Sequence, residues 1–296
     1  MKKPVLCLTL LSASLSPLAA QVRVEVALDQ DQFLPGEALP VAVRVTNRSG
    51  QTLRLGAEED WLTFSVESRD GLVVAKTGDV PVTGEFVLDS SKVATKRVDL
   101  APYFSLSEPG RYEIVATVRI KDWNHEVASP PKGFDIIQGA RLWEQDFGLP
   151  KTSGASNAIP EVRKYILQRA SYLKAQLRLY LRVTDAAGTR AFRVFPIGPM
   201  VSFSRPEPQV DRMSNLHVLY QDGPHSFSYA VFNPDGNLTT RQTYEYVNSR
   251  PRLAVDEDGK FYVLGGLRRP AANDMPPAAP ASAPAAATNN VEKGAQ

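Results

Sequence analysis

The feature that most constrains this chain is a recurring short run in which apolar and polar residues alternate. Val22-Arg23-Val24-Glu25-Val26 alternates, and so does Val41-Ala42-Val43-Arg44-Val45-Thr46. Successive side chains of a strand point to opposite faces, so such runs bury one face and wet the other. Further runs of this kind fall at 53–55, 62–66, 72–75, 86–88, 93–98, 112–120 and 133–137. They recur about every 8 to 12 residues, with Gly, Pro, Asn or Asp between them, a spacing that favours antiparallel hairpins over βαβ units. The expected fold class is all-β.

Two stretches carry a resemblance. FLPGEALPVAVRVTNRSG (33–50) places a Pro-Gly-Glu turn before a strand that ends in Asn47, and LSEPGRYEIVATVRI (106–120) turns at Pro109-Gly110 before a long strand. Together they resemble the immunoglobulin-like modules of exported bacterial proteins. The resemblance covers about residues 21–139 and implies a β-sandwich. Tyr112 would then sit as in a tyrosine corner, its hydroxyl tied to a nearby backbone group. The paired cysteines of antibody domains are absent.

The first twenty residues read as an export signal: basic Lys2-Lys3, an apolar stretch from Val5 to Leu11, then small residues up to Ala19-Ala20. We expect cleavage after Ala20 and a periplasmic, cell-surface or extracellular destination. The apolar run is too short to span a bilayer, and we expect no transmembrane span in the mature chain. Cys7, the single cysteine, would leave with the signal. That excludes a disulfide, a cysteine nucleophile and a thiolate-ligated metal in the mature protein. The charge is unevenly spread. Residues 21–140 hold 13 Lys/Arg against 18 Asp/Glu, a net of −5, and residues 141–270 hold 18 against 12, a net of +6. Two separately evolved domains with ordinary surfaces would give this split; the sharper reading is that the two parts attract each other, or that the second meets an anionic partner.

We therefore expect a sandwich over 21–140, a turn-rich linker over 141–158, a second antiparallel β domain over 159–270 and a disordered Pro/Ala-rich tail over 271–296. Residues 160–181 fit helical spacing as well as strand; we read them as strand, because everything after them is β. The second domain contains an echo. VDRMSNLHVLYQ from Val210 and VDEDGKFYVLGG from Val255 align at an offset of 45. A period of several strands resembles β-propeller blades, and two or three blade-like units fit, where a closed propeller needs about four.

Catalytic and metal motifs are weak. Gly154-Ala155-Ser156-Asn157-Ala158 lacks the second glycine of a nucleophile elbow. Glu144 with Asp146 and Glu207 with Asp211 are candidate acid pairs. Asp256-Glu257-Asp258-Gly259 resembles the start of a calcium loop, yet Lys260 stands where a further ligand belongs. His217 and His225 form no metal-binding motif. We assign no catalytic residue, no metal and no cofactor. Trp61, Trp123 and Trp143 are read as core.

The binding candidates are the aromatic and arginine residues of the basic part: Arg205, Arg212, Tyr220, Tyr229, Arg241, Tyr244, Tyr246, Arg250 and Arg252. Aromatic faces beside guanidinium forks suit sugars or acidic polymers. An internal network, such as Arg205 with Glu207 or Asp211, would use the arginines up. Nucleic acid is not an expected partner, since no reader motif is present. The expected function is an exported, non-catalytic binding or scaffold protein of the bacterial envelope, with an envelope protein or an acidic or sugar polymer as partner. A carbohydrate-active hydrolase or its accessory subunit is the alternative, and an envelope-assembly subunit built on edge strands is the third reading.

Overall fold

The computed structural model describes residues 21–149, 161–172 and 176–275. The expected signal (1–20), residues 150–158 of the expected linker with 159–160 after it, and the tail beyond 275 lie outside them. The described chain is nearly all strand, in antiparallel sheets apart from one short parallel pair. It divides into two compact units, Met1–Ala140 with Ala170–Gln176, and Arg141–Arg169 with Leu177–Gln296.

The first unit has ten strands: β1 (Val22–Leu28), β2 (Gln32–Phe33), β3 (Pro40–Asn47), β4 (Leu53–Leu55), β5 (Leu62–Ser68), β6 (Phe86–Leu88), β7 (Val93–Asp99), β8 (Gly110–Ile120), β9 (His125–Ala128) and β10 (Lys132–Ile136). They pair as β1-β3-β7, as β2-β10-β8-β5 with β9 also on β8, and as β4-β6. The alternation becomes burial directly. Val41, Val43 and Val45 of β3 and Ile114, Ala116 and Val118 of β8 are buried in one shared cluster. Trp61 is buried there too, its Nε1 donating to the Val82 carbonyl at 2.8 Å. The Pro-Gly-Glu turn closes on itself. Gly36 takes a φ of +80°, and the buried Glu37 carboxylate accepts from the Leu34 amide at 2.8 Å and from Gln30 Nε2 at 3.0 Å. Asn47 donates from Nδ2 to the carbonyls of Gln51 and Leu88, stitching the end of β3 to its neighbours. The Tyr112 hydroxyl donates to the Glu108 carbonyl at 2.7 Å.

The second unit begins where the linker was expected: β11 (Ala140–Gly148) is a strand, paired with β12 (Val162–Tyr172). Then follow β13 (Gln176–Asp185), β14 (Ala191–Met200), β15 (Glu207–Val210), β16 (Leu216–Gln221), β17 (Ser226–Phe232), β18 (Leu238–Glu245), β19 (Arg252–Val255), β20 (Phe261–Leu264) and β21 (Leu267–Arg268). Sheets β11-β12-β13-β14 and β15-β16-β17-β18-β21 are joined by a shared buried cluster that includes Tyr165, Leu181, Val218 and Phe232. Burial explains why β12 is a strand. Tyr165 and Leu167 are buried on alternate positions, and the Tyr165 ring stacks on Phe147 at 3.9 Å. The β19-β20 ribbon covers the other face of the five-stranded sheet, where Leu253 and Val263 pack on Leu219, Phe227, Tyr229 and Val231. The first residues expected in the tail are ordered: Met275 bridges Arg241 backbone to backbone, and Asp274 pairs with Arg268 at 2.7 Å.

The echo at an offset of 45 is one turn chemistry used repeatedly. In the β15-β16 turn Asp211 Oδ1 accepts from the amides of Met213 and Asn215. In the β19-β20 turn Asp256 Oδ1 accepts from Asp258 and Lys260. Asn233 does the same between β17 and β18, and Asp185 accepts from the Arg190 amide between β13 and β14. The fourth residue of each turn is left-handed: Gly188, Ser214, Gly236 and Gly259. A side-chain oxygen that accepts these amides replaces strand pairing at the bend. The two echo copies lie in unlike sheets, one of five strands and one of two.

Candidate functional site

The loop after β14 folds back on β16, with the Val201 amide donating to the Gln221 carbonyl at 3.1 Å. It carries Phe203, Ser204, Arg205 and Pro206 to the start of β15. From the other side the segment joining β18 to β19 brings Arg250 and Arg252. A Gly-Gly pair fixes that segment. The Gly266 amide donates to the Ser249 carbonyl, and a Cβ on Gly266 would lie 2.6 Å from Pro251 Cγ. Both Gly265 and Gly266 have positive φ, so no other residue fits there without strain.

Between these two segments lies a groove of about 440 Å³, lined by Phe203, Ser204, Arg205, Pro206, Glu207, Gln221, Arg250 and Arg252. Arg205, Arg250 and Arg252 have no carboxylate partner among the described residues. The internal network considered for Arg205 does not form. Glu207 Oε2 instead accepts from the Leu253 amide at 2.9 Å, and Asp211 is held by Asn215 and His217. Arg250 lies over the Phe227 ring at 5.4 Å, a cation–π contact that orients it without neutralising it. Ser204 is only 8% exposed, and its Oγ finds no hydrogen-bond partner among the described residues. Phe203 stands at the lip, 79% exposed. The groove therefore offers three guanidinium forks, one unused hydroxyl and an aromatic edge, against one carboxylate already committed to a backbone amide. That set suits a planar or tetrahedral oxyanion.

The other candidates lie elsewhere. Tyr220 is core, and burial pushes its hydroxyl up to about 12. Tyr229 is also buried, under the ribbon, with burial raising its hydroxyl pKa. Arg241 donates from Nη2 to the Ile197 carbonyl at 2.7 Å. Tyr244 is half-buried with Arg268 over its ring at 5.6 Å. Arg212 packs against the Gly259 turn, and Tyr246 is exposed beside His225. The nine residues thus do not form one surface. The groove takes three of them and adds Phe203, Ser204, Glu207 and Gln221.

A second polar cluster lies under the ribbon. His217 Nε2 bonds Asp211 Oδ2 at 3.1 Å, its Nδ1 bonds the Tyr229 hydroxyl at 2.7 Å, and its ring tilts against Phe261 at 4.7 Å. Burial lowers the His217 pKa despite the neighbouring carboxylate. Burial pushes the Asp211 carboxyl up, but the bonds from Asn215 and His217 outweigh it and hold it below the ordinary carboxylate value. A neutral His217 then donates from Nε2 and accepts from Tyr229, which satisfies all three groups. The suggested acid pairs do not form. Glu144 pairs with Arg141 and Asp146 with Lys164. In the first unit a cleft of about 290 Å³ gathers Asp31, Glu113 and Asp135 with Arg69, Arg111 and Tyr112. Arg111 sits 3.9 Å from Asp135, and Lys132 3.4 Å from Asp31. Among the described residues no three His, Cys, Asp or Glu side chains gather as a metal site, and no helix is long and apolar enough to cross a membrane.

No protein-family profile and no curated protein sequence matches the chain. Among solved structures, the sporulation control protein Spo0M from Bacillus subtilis is similar over 60% of this chain and 91% of its own, at 11% identity and a TM-score of 0.31. So distant a likeness carries no argument about function.

Proposed function

We propose that this is an exported, non-catalytic binding protein of the bacterial envelope that takes an anionic ligand in the Arg205–Arg250–Arg252 groove. The observation that carries the reading is that three arginines line one groove without a counter-ion among the described residues. Like charges brought together cost stability, and an anion offsets that cost. The first unit is read as an immunoglobulin-like sandwich, supported by the closed Pro-Gly-Glu turn and the Tyr112 hydroxyl bond. The blade-like reading of the second unit has less support, because its echo copies serve sheets of different size. Export rests on the sequence of residues 1–20.

Binding of polygalacturonate, a soluble acidic polysaccharide, tests the reading, with inorganic phosphate as the small competitor. Titration calorimetry should give measurable affinity at low salt, falling about tenfold for Arg250→Ala and again for Arg252→Ala, since a charge-assisted bond to an oxyanion contributes on the order of 1.5–3 kcal/mol. Neither anion binding at low salt would reject it. The assembly reading keeps one specific support. Strands β1 and β9 each pair on one side only, and a groove of about 410 Å³ runs along them. The hydrolase reading has the Asp31–Glu113–Asp135 cleft, where two of the three carboxylates already face basic side chains.

A further inference from the structure

The groove continues onto a surface that an ordinary ribbon does not have. In the β19-β20 pairing Arg252 lies opposite Leu264, and Ala254 opposite Tyr262. Directly paired residues share a face, so Arg252, Ala254, Tyr262 and Leu264 form the outer face of the ribbon. Its inner face, with Leu253 and Val263, is occupied by the cluster beneath. The outer face of a soluble hairpin is ordinarily polar. Here it is apolar apart from its arginine, with Leu264 52% and Tyr262 42% exposed. Phe203, 79% exposed, lines the same groove as Arg252. Leu267, just past the ribbon, is also exposed.

A hydrophilic polymer has no use for an exposed leucine and phenylalanine beside its anion site. A bilayer surface uses both. Phosphate headgroups supply the negative charge, and the interfacial layer takes aromatic and aliphatic side chains, while arginine reaches from the apolar zone to the phosphates. Charge orders the ribbon along its length. Arg250 and Arg252 lie at its open end, and Asp256, Glu257 and Asp258, with Lys260, lie at its turn, about 13 Å from Arg252 at the strand rise per residue. We propose, building on the anion-binding reading above, that this face docks on an anionic phospholipid leaflet. A headgroup phosphate sits among Arg205, Arg250, Arg252 and the Ser204 hydroxyl. Phe203 and Leu264 enter the interfacial layer, and the acidic turn stays in water.

The test is partition of the chain onto vesicles, read by sedimentation, with residues 1–20 removed because their apolar run would itself enter lipid. Vesicles containing phosphatidylglycerol are compared with vesicles of phosphatidylcholine alone. Strong, salt-sensitive partition onto the first only is expected, falling about fivefold for each of Arg250→Ala and Arg252→Ala. Phe203→Ser and Leu264→Ser should each lower partition several-fold, and Leu264→Ser, which lies outside the groove lining, should leave polygalacturonate binding unchanged. Polygalacturonate binding with equal or no partition onto both vesicles would overturn the lipid assignment and leave the anion-binding reading intact. Vesicle partition that neither Phe203→Ser nor Leu264→Ser weakens would overturn the insertion of this face. Absence of binding to vesicles, polygalacturonate and phosphate alike would remove both.

Discussion

His217 shows how one side chain can couple a turn, a sheet and a ribbon. Its ring sits on β16, bonds the Asp211 of the preceding turn, accepts the hydroxyl of Tyr229 on β17 and touches Phe261 of the ribbon. Because burial lowers its folded pKa, the unfolded chain binds a proton more readily. Its contribution to stability is therefore complete above the unfolded histidine value, near 6.5, and is lost as pH falls below it. Urea unfolding midpoints should fall from about pH 7 to about pH 5, and His217→Gln should flatten that decline. An unchanged slope in the variant would assign the decline to other groups. Asp211, with its lowered pKa, adds a second loss only further into acid, as pH falls through the carboxylate range. At the same scale the arginine positions were legible from the composition of the second part, whereas Tyr220 and Tyr229 were not. Leu216-His217-Val218-Leu219-Tyr220 and Phe227-Ser228-Tyr229-Ala230-Val231-Phe232 are almost continuously apolar. That pattern marks strands buried on both faces, so these tyrosines belong to the interior, not to a platform. Phe203 carries no periodic signal at all, because its exposure is set by a loop.

The hairpin turns are the elements most clearly written in the chain, though their meaning lies in local chemistry. An Asp or Asn at the first position and a left-handed residue at the fourth recur at Asp185, Asp211, Asn233 and Asp256. Read as sequence, two of these copies imitate a repeat of several strands. Read as structure, they are one solution to the problem of satisfying amides at a bend. The copies are not equally loaded. Asp256 bonds its own turn, whereas Asp211 also holds Asn215 Nδ2 and His217. Asp256→Ala should cost about 1 kcal/mol and Asp211→Ala about 2–3 kcal/mol, by the difference between an ordinary turn bond and charged bonds in a partly buried setting. Chemical denaturation of both variants checks the ranking; equal losses would mean that the His217 bond contributes nothing. Tyr165 joins two of these turns, its hydroxyl lying 2.9 Å from the carbonyls of both Ser214 and Asn233. That long-range tie explains why a segment with helical spacing is a strand: the side chain is needed on one face of β12, above Phe147, and local periodicity does not report it.

At the scale of the whole molecule the uneven charge becomes a statement about where an anion arrives. Residues 21–140 carry a net of −5 and residues 141–270 a net of +6. A ligand steered by the protein's field is therefore drawn to the second. Some of that positive charge is already spent. Arg163 pairs with Glu161 and Asp235, and Arg269 with Glu245. Arg205, Arg250 and Arg252 form no ion pair among the described residues. Screening separates these roles, since long-range attraction fades beyond a Debye length of about 10 Å at 0.1 M salt, and close charge-assisted bonds persist better. Affinity for polygalacturonate should therefore fall with added salt in the parent chain. The double variant Arg250→Glu, Arg252→Glu should lose most of the affinity and also show a shallower salt dependence, because fewer counter-ions are exchanged at the groove. Arg44→Glu, an exposed charge reversal in the first unit, should leave the affinity within about twofold, as expected for a screened charge that is not part of the groove. If the two reversals weaken binding to the same degree, the ligand is answering to net charge alone and the groove has no special place in it.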